Sequence, residues 1–198
     1  MSEDPLAAAD KLKKQAQEVI TELGLTEKWG KIGELYLVGS ARFGLMASTN
    51  IDFEVYVENP EISEGFSAIA KIAEVPGVKQ IQYLNFMDNS SDPGLYWRID
   101  FEDSNGALWD IDNWLVPYSH PFAGMADRFA DSMERVLNDN LRRTILTIKH
   151  VVSSEMKVRG IDIYCAVLRD HISTPEAFIE WRKQNPPIDG IVNWSPEG

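Results

Sequence analysis

Asp52 and Glu54 stand two residues apart in the run Asn50-Ile51-Asp52-Phe53-Glu54-Val55-Tyr56-Val57. In a strand, residues i and i+2 project to the same face, so these two carboxylates share one face with Asn50 one step before them. Phe53, Val55 and Val57 point the other way, into a core. Two like charges held side by side repel, and a cation between them relieves the cost. About ten residues upstream, the apolar run Leu35-Tyr36-Leu37-Val38 ends in Gly39-Ser40. A glycine-serine turn offers backbone N–H groups and a hydroxyl to a phosphate. A phosphate cradle beside a carboxylate pair suits a nucleoside triphosphate and Mg²⁺.

Other chemistries find less support. The chain has no G-x-x-x-x-G-K-[ST] loop, no G-x-G-x-x-G and no Gly-x-Ser-x-Gly, which removes the signals for P-loop, dinucleotide-binding and serine hydrolase sites. Three histidines at wide spacing make no zinc pattern. The single cysteine, Cys165, cannot form an internal disulfide and reads as a small core residue.

Gly39-Ser40, a spacer and acidic residues alternating on the next strand resemble the polymerase-beta-like nucleotidyltransferase superfamily, over roughly residues 34–116. Its signature is hydrophobic–Gly–Ser, then Asp-h-Asp or Asp-h-Glu, with a third carboxylate on a later strand. Two registers satisfy it. In one, Asp52 and Glu54 are the metal pair. In the other, Asn50-Ile51-Asp52 occupies the motif and an amide replaces the first carboxylate. The apolar tail after Asp52-Phe53-Glu54 favours the first.

The resemblance implies an α+β fold: a small mixed β-sheet core with one helix-covered face, followed by a C-terminal helical region. It places the core in residues 1–120 and the helical region in 121–198. It implies nucleotidyl transfer from NTP to a hydroxyl, with Mg²⁺ on Asp52 and Glu54. Asp110 is the first candidate for the third ligand or base, and Asp112, on the same face, is the second. Gly39 and Ser40 would cradle phosphates, Arg42 would neutralise pyrophosphate, and Lys149 would reach the triphosphate from a later helix. A two-metal site is compatible with this set. The alternative is a degenerate member of the same fold that binds a nucleotide or a protein without catalysis, and its motive is Asn50. A minimal member that modifies a partner protein is disfavoured by the long helical extension.

Elements must hold these residues in place. Leu6, Ala9, Leu12, Ala16, Val19, Ile20 and Leu23 recur at helical spacing, and Gly24 closes the run. Trp29, Gly30 and Gly33 read as a loop. Residues 34–38 and 51–58 read as strands, 61–74 as a helix, and 78–87 as a further strand. Leu95–Glu102 and Ala107–Val116 alternate around Asp103-Ser104-Asn105-Gly106, a hairpin pattern. Its second arm puts Trp109, Ile111 and Asn113 on one face, and Asp110 and Asp112 on the other. Trp97 and Trp109 point into the core by the same rule, which leaves Tyr96, Trp114 and Tyr118 to stack on a ligand. After Pro117 and Pro121, helices are expected over 122–137, 141–152, 160–171 and 177–184, with Thr174 as an N-cap and a loose tail beyond Pro187.

The net charge of −12 disfavours long nucleic acid as the acceptor, because gripping a polyanion takes a basic surface. It suits a small acceptor, a cationic one best. No apolar run approaches the roughly 20 residues that span a bilayer. The acidic N-terminus is unlike a secretory signal, so a cytoplasmic, bacterial setting is expected.

Overall fold

The computed structural model describes residues 3–152, 156–187 and 190–196. Helix α1 (Pro5–Leu23) starts with Pro5 in its first turn and ends at Gly24, φ 60°, whose N–H reaches back to Ile20 O and Thr21 O. Helix α2 (Leu25–Gly30) follows at once and buries Trp29 completely. The loop expected at Trp29 is therefore a helical turn. Its bulky indole sits against Trp97, with ring centroids 5.7 Å apart.

Five strands form one mixed sheet: β1 (Glu34–Val38), β2 (Asn50–Val57), β3 (Val78–Asn85), β4 (Leu95–Glu102) and β5 (Leu108–Pro117). Their order across the sheet is β1-β2-β5-β4-β3. Only β2 and β5 run parallel; the other pairs are antiparallel. The expected hairpin is the β4–β5 pair, and Asp103 fastens its turn. Asp103 accepts hydrogen bonds from the backbone N–H of Asn105 (2.8 Å) and Ala107 (3.0 Å) and from the indole of Trp109 (3.0 Å).

Alternation sorts the sheet residues cleanly. Ile51, Phe53, Val55, Trp97, Ile99, Phe101, Ile111 and Leu115 are buried, and they pack with the buried faces of α1, α2 and α4 (Ile62–Ala73). The opposite face carries the acidic residues. A second cluster of buried side chains is built by α5 (Met125–Val136), α6 (Asp139–Val152), α7 (Gly160–Tyr164) and α8 (Pro175–Gln184), a π-helical turn over Cys165–Arg169 continuing α7. Ala9, Phe43 and Leu45, from early in the chain, complete this second core. Thr174 caps α8 as its residue type suggests, accepting the Ala177 N–H at 3.2 Å. The tail expected to be loose is packed over 190–196: Trp194 lies against Phe129 at 6.2 Å between centroids, and Arg159 donates to Gly190 O at 2.8 Å. Among the described residues, no helix is long and apolar enough to cross a membrane.

Candidate active site

Strand β1 ends at Val38, and the chain turns directly into the short helix α3 (Gly39–Phe43). Gly39 has φ +66°, which costs a glycine little and other residues more. A Cβ built there would lie 2.4 Å from Asp52 Oδ2. The turn is thus pressed onto Asp52, and only glycine allows that approach. Val38 is the register partner of Asp52 across the β1–β2 pair, which is why the two meet.

On the other side of β2, register brings Asp52 level with Asp112 of β5, and Asn50 level with Asp110. Strands in a ladder lie about 4.8 Å apart, so Asp52 and Asp112 are nearest neighbours on one face. Burial, and then the charge on Asp112, push the Asp52 carboxyl up to about 7, against the opposing pull of Lys149. Asp112 accepts hydrogen bonds from the Tyr96 hydroxyl and from Asn50 Nδ2, the latter at 3.1 Å. Asp110 lies elsewhere: Arg98 takes it and Asp100 together, at 2.5 and 2.8 Å. Of the two β5 acids, Asp112 is the one beside Asp52.

Glu54 shares the face of Asp52 but sits one strand step further on. Its Oε2 accepts the Tyr56 hydroxyl at 2.7 Å, and burial pushes its carboxyl above the usual range. Lys149, on α6, donates to Leu45 O at 2.7 Å and to the Tyr164 hydroxyl at 3.0 Å, standing 5.2 Å from the Tyr164 ring centre. Arg42 turns away from the carboxylates and pairs with Asp127 and Asp131 of α5, with Glu134 at 4.0 Å. It fastens the Gly39–Ser40 turn to the helical region.

Gly39, Ser40, Asn50, Asp52, Glu54 and Lys149 line one cleft of about 700 Å³ between the polar sheet face and the helices. Its far wall includes Phe129, Tyr164 and Trp194. The chain of the 190–196 tail along this wall is a feature the sequence reading missed, since nothing in its composition signals where it lies.

Among the described residues, no three His, Cys, Asp or Glu side chains converge tightly enough to cage a metal by themselves. The residues present nevertheless fit Mg²⁺ accompanied by a triphosphate. That ion is held by one or two carboxylates, with substrate phosphates and water filling its shell. Asp52 and Asp112 are such a pair, and the raised carboxyl of Asp52 marks a spot where positive charge is favoured.

No family model and no curated protein sequence matches the chain. Solved structures do. Cid1 poly(U) polymerase bound to MgGTP superposes with a TM-score of 0.61 at 16% identity, covering 80% of this chain and 50% of that one. A mutant of the same polymerase bound to MgATP gives 0.59 at 18% identity, covering 82% and 51%. The GLD-2/RNP-8 complex gives 0.53 at 13% identity, covering 96% and 73%. The chain therefore spans about half the length of Cid1. These neighbours belong to the nucleotidyltransferase superfamily, and the likeness is one of fold.

Proposed function

We propose that the protein is a nucleotidyltransferase that takes a nucleoside triphosphate with Mg²⁺ into the cleft and moves the nucleotidyl group to an acceptor hydroxyl. One observation carries the reading: the Gly39–Ser40 turn is seated against Asp52, which in turn lies level with Asp112. Asp52 and Asp112 are the residues to hold Mg²⁺, which when bound neutralises phosphate charge. Gly39 lets the turn sit against Asp52, which brings the Ser40 hydroxyl beside the carboxylates to donate to the phosphates. The Lys149 ammonium, whose charge already acts on Asp52 while it donates to Leu45 O and the Tyr164 hydroxyl, offsets the remaining negative charge. Asp112, whose Oδ1 accepts from Tyr96 and whose Oδ2 accepts from Asn50, takes the acceptor proton in place of one of these hydrogen bonds.

The acceptor hydroxyl must reach Asp112, level with Asp52, and these two carboxylates make its surroundings acidic. With a chain charge of −12, this favours a short or cationic acceptor over a long polyanion. The solved neighbours include a poly(U) polymerase, so an oligoribonucleotide belongs in the assay beside hydroxylated amines. The test is transfer of label from α-labelled NTP with Mg²⁺ to such a panel. Transfer that survives Asp52→Asn would refute the site.

A second reading, nucleotide binding without transfer, is favoured by Asn50. Its Nδ2 donates to Asp112 at 3.1 Å, so a neutral amide stands where a third carboxylate would complete the charge. Asn50→Asp separates the two. If the amide has silenced the site, the substitution creates transfer. If Asp52 and Asp112 suffice, wild type transfers already.

A further inference from the structure

Glu54 has no part in the phosphate chemistry above, yet it points into the same cleft. A side pocket of about 250 Å³ opens from that cleft beyond it, sharing Glu54 and Trp114 with the main volume. Sites that take a whole drug-sized ligand have about 300–1,000 Å³. The side pocket therefore suits one end of a molecule whose remainder lies in the cleft.

Its polar groups have one character. The Tyr56 hydroxyl donates to Glu54 Oε2 at 2.7 Å and itself accepts the Gly124 N–H at 2.9 Å. His120 Nδ1 accepts the Phe122 N–H at 3.0 Å, which leaves the imidazole proton on Nε2, facing Asp92 at 3.0 Å. Both side-chain donors are thus spent on carboxylates. What stays open is acceptor: among the described residues nothing hydrogen-bonds Glu54 Oε1. The flat walls are aromatic. Trp114 is the register partner of a residue on each side, Glu54 on β2 and Tyr96 on β4, and it stacks on Phe86 with centroids 5.5 Å apart.

Distance and charge decide which end of a nucleotide belongs here. Glu54 lies two residues, about 6.6 Å, along β2 from Asp52. A carboxylate there repels a triphosphate and cannot serve that end. It accepts N–H groups from a ring laid against Trp114. We infer that this pocket holds the base of the nucleoside triphosphate and that Glu54 selects for a base with an N–H donor edge, guanine foremost and uracil last.

The order follows from hydrogen-bond inventory. Guanine presents adjacent ring N–H and exocyclic NH₂ donors, one of which Glu54 Oε1 accepts while Oε2 accepts the other on its second lone pair beside the Tyr56 hydroxyl. Adenine and cytosine present one amino group each. Uracil flanks its single N–H with two carbonyls, and these face the Glu54 charge unfavourably. The choice is opposite to that of the Cid1 polymerase, whose structures are described for UTP selectivity.

The inference rests on the nucleotide-binding reading above, and one calorimetric experiment tells the two apart. Wild-type protein with Mg²⁺ is titrated with GTP, ATP, CTP and UTP, and so is Glu54→Gln. GTP should bind at least about ten-fold more tightly than UTP, in line with one charge-assisted hydrogen bond. In Glu54→Gln the gap should shrink to about two-fold or less, because the glutamine amide can donate to a uracil carbonyl. Equal binding of all four, preference for UTP, or a GTP preference untouched in Glu54→Gln overturns the assignment while leaving nucleotide binding intact. Binding of none of them removes both readings. The wild-type ranking alone decides the matter if the variant does not fold.

Discussion

The two faces of the sheet are made from alternate residues of the same strands, and they solve opposite problems. On one, Ile51, Phe53, Ile111 and Trp97 are completely or almost completely buried, and β2, β4 and β5 act as a wall of a close-packed core. On the other, Asp52, Glu54, Asp110 and Asp112 crowd like charges together, with the neutral amide of Asn50 among them. Within that polar face a second contrast appears. Asp110 is neutralised by Arg98, while Asp52 faces Asp112 with Lys149 as its opposing charge. The apolar face stabilises the fold. The uncompensated part of the polar face is where a ligand's charge can do the compensating, at a cost to the empty protein.

Substitutions can break that contrast in order of size. Trp97→Ala should lower stability by about 3–5 kcal/mol in chemical denaturation, because it empties the centre of the packed face. Asp52→Asn should do the reverse. It should cut nucleotidyl transfer by about a thousand-fold, some 4 kcal/mol in barrier, without destabilising the fold. Its pH signature is specific. The folded-state Asp52 carboxyl is raised from 3.8 to about 7, so between those values the folded protein holds a proton that the unfolded chain has released. Metal-free wild type should therefore lose thermal stability as pH rises from about 4 to 7, and Asp52→Asn should flatten that slope. A wild-type melting temperature that climbs over this window would contradict the electrostatic account.

The paired acids give a smaller and sharper comparison. Asp112→Asn should reduce transfer by about a hundred-fold, the loss typical of one well-placed general base. Asp110→Asn should change it by no more than about two-fold, since Arg98 keeps Asp100 as a partner and the effect of an exposed pair is slight. Equal losses would mean that the site extends to the open part of the face. Smallest of all, Ser40→Ala should weaken nucleotide binding by about 1 kcal/mol in calorimetry, the value of one hydrogen bond.

Much of this was legible from residue types. Alternation in β2, β4 and β5 assigned the faces, because a period of two is a local property of a strand. Thr174 and Gly24 announced their caps for equally local reasons. What local pattern could not supply was register between distant segments. Asp110 and Asp112 share one face, and only the alignment of β5 with β2, some sixty residues earlier, puts Asp112 rather than Asp110 beside Asp52. Arg42 was likewise opaque. Its nearness in sequence to Ser40 suggested phosphate, whereas its partners Asp127 and Asp131 come from a helix whose docking is a tertiary event. Trp29 shows the same limit on a smaller scale: followed by Gly30 and Gly33, it looked like a loop, whereas it lies in a helical turn packed against Trp97.

The seat of Gly39 against Asp52 also bears on how the protein can vary. A side chain at 39 meets the Asp52 carboxylate before it meets anything else, with 2.4 Å where a methyl needs far more. The two positions are thus not free of one another. A library randomised at 39 alone should return glycine. One randomised at 39 and 52 together should return alanine or serine at 39 only alongside a residue at 52 shorter than aspartate. Such pairs relieve the contact but keep the cost of a positive φ at 39, and they carry no carboxylate on that strand step, so every route from this sequence to a bulkier turn passes through the loss of Asp52.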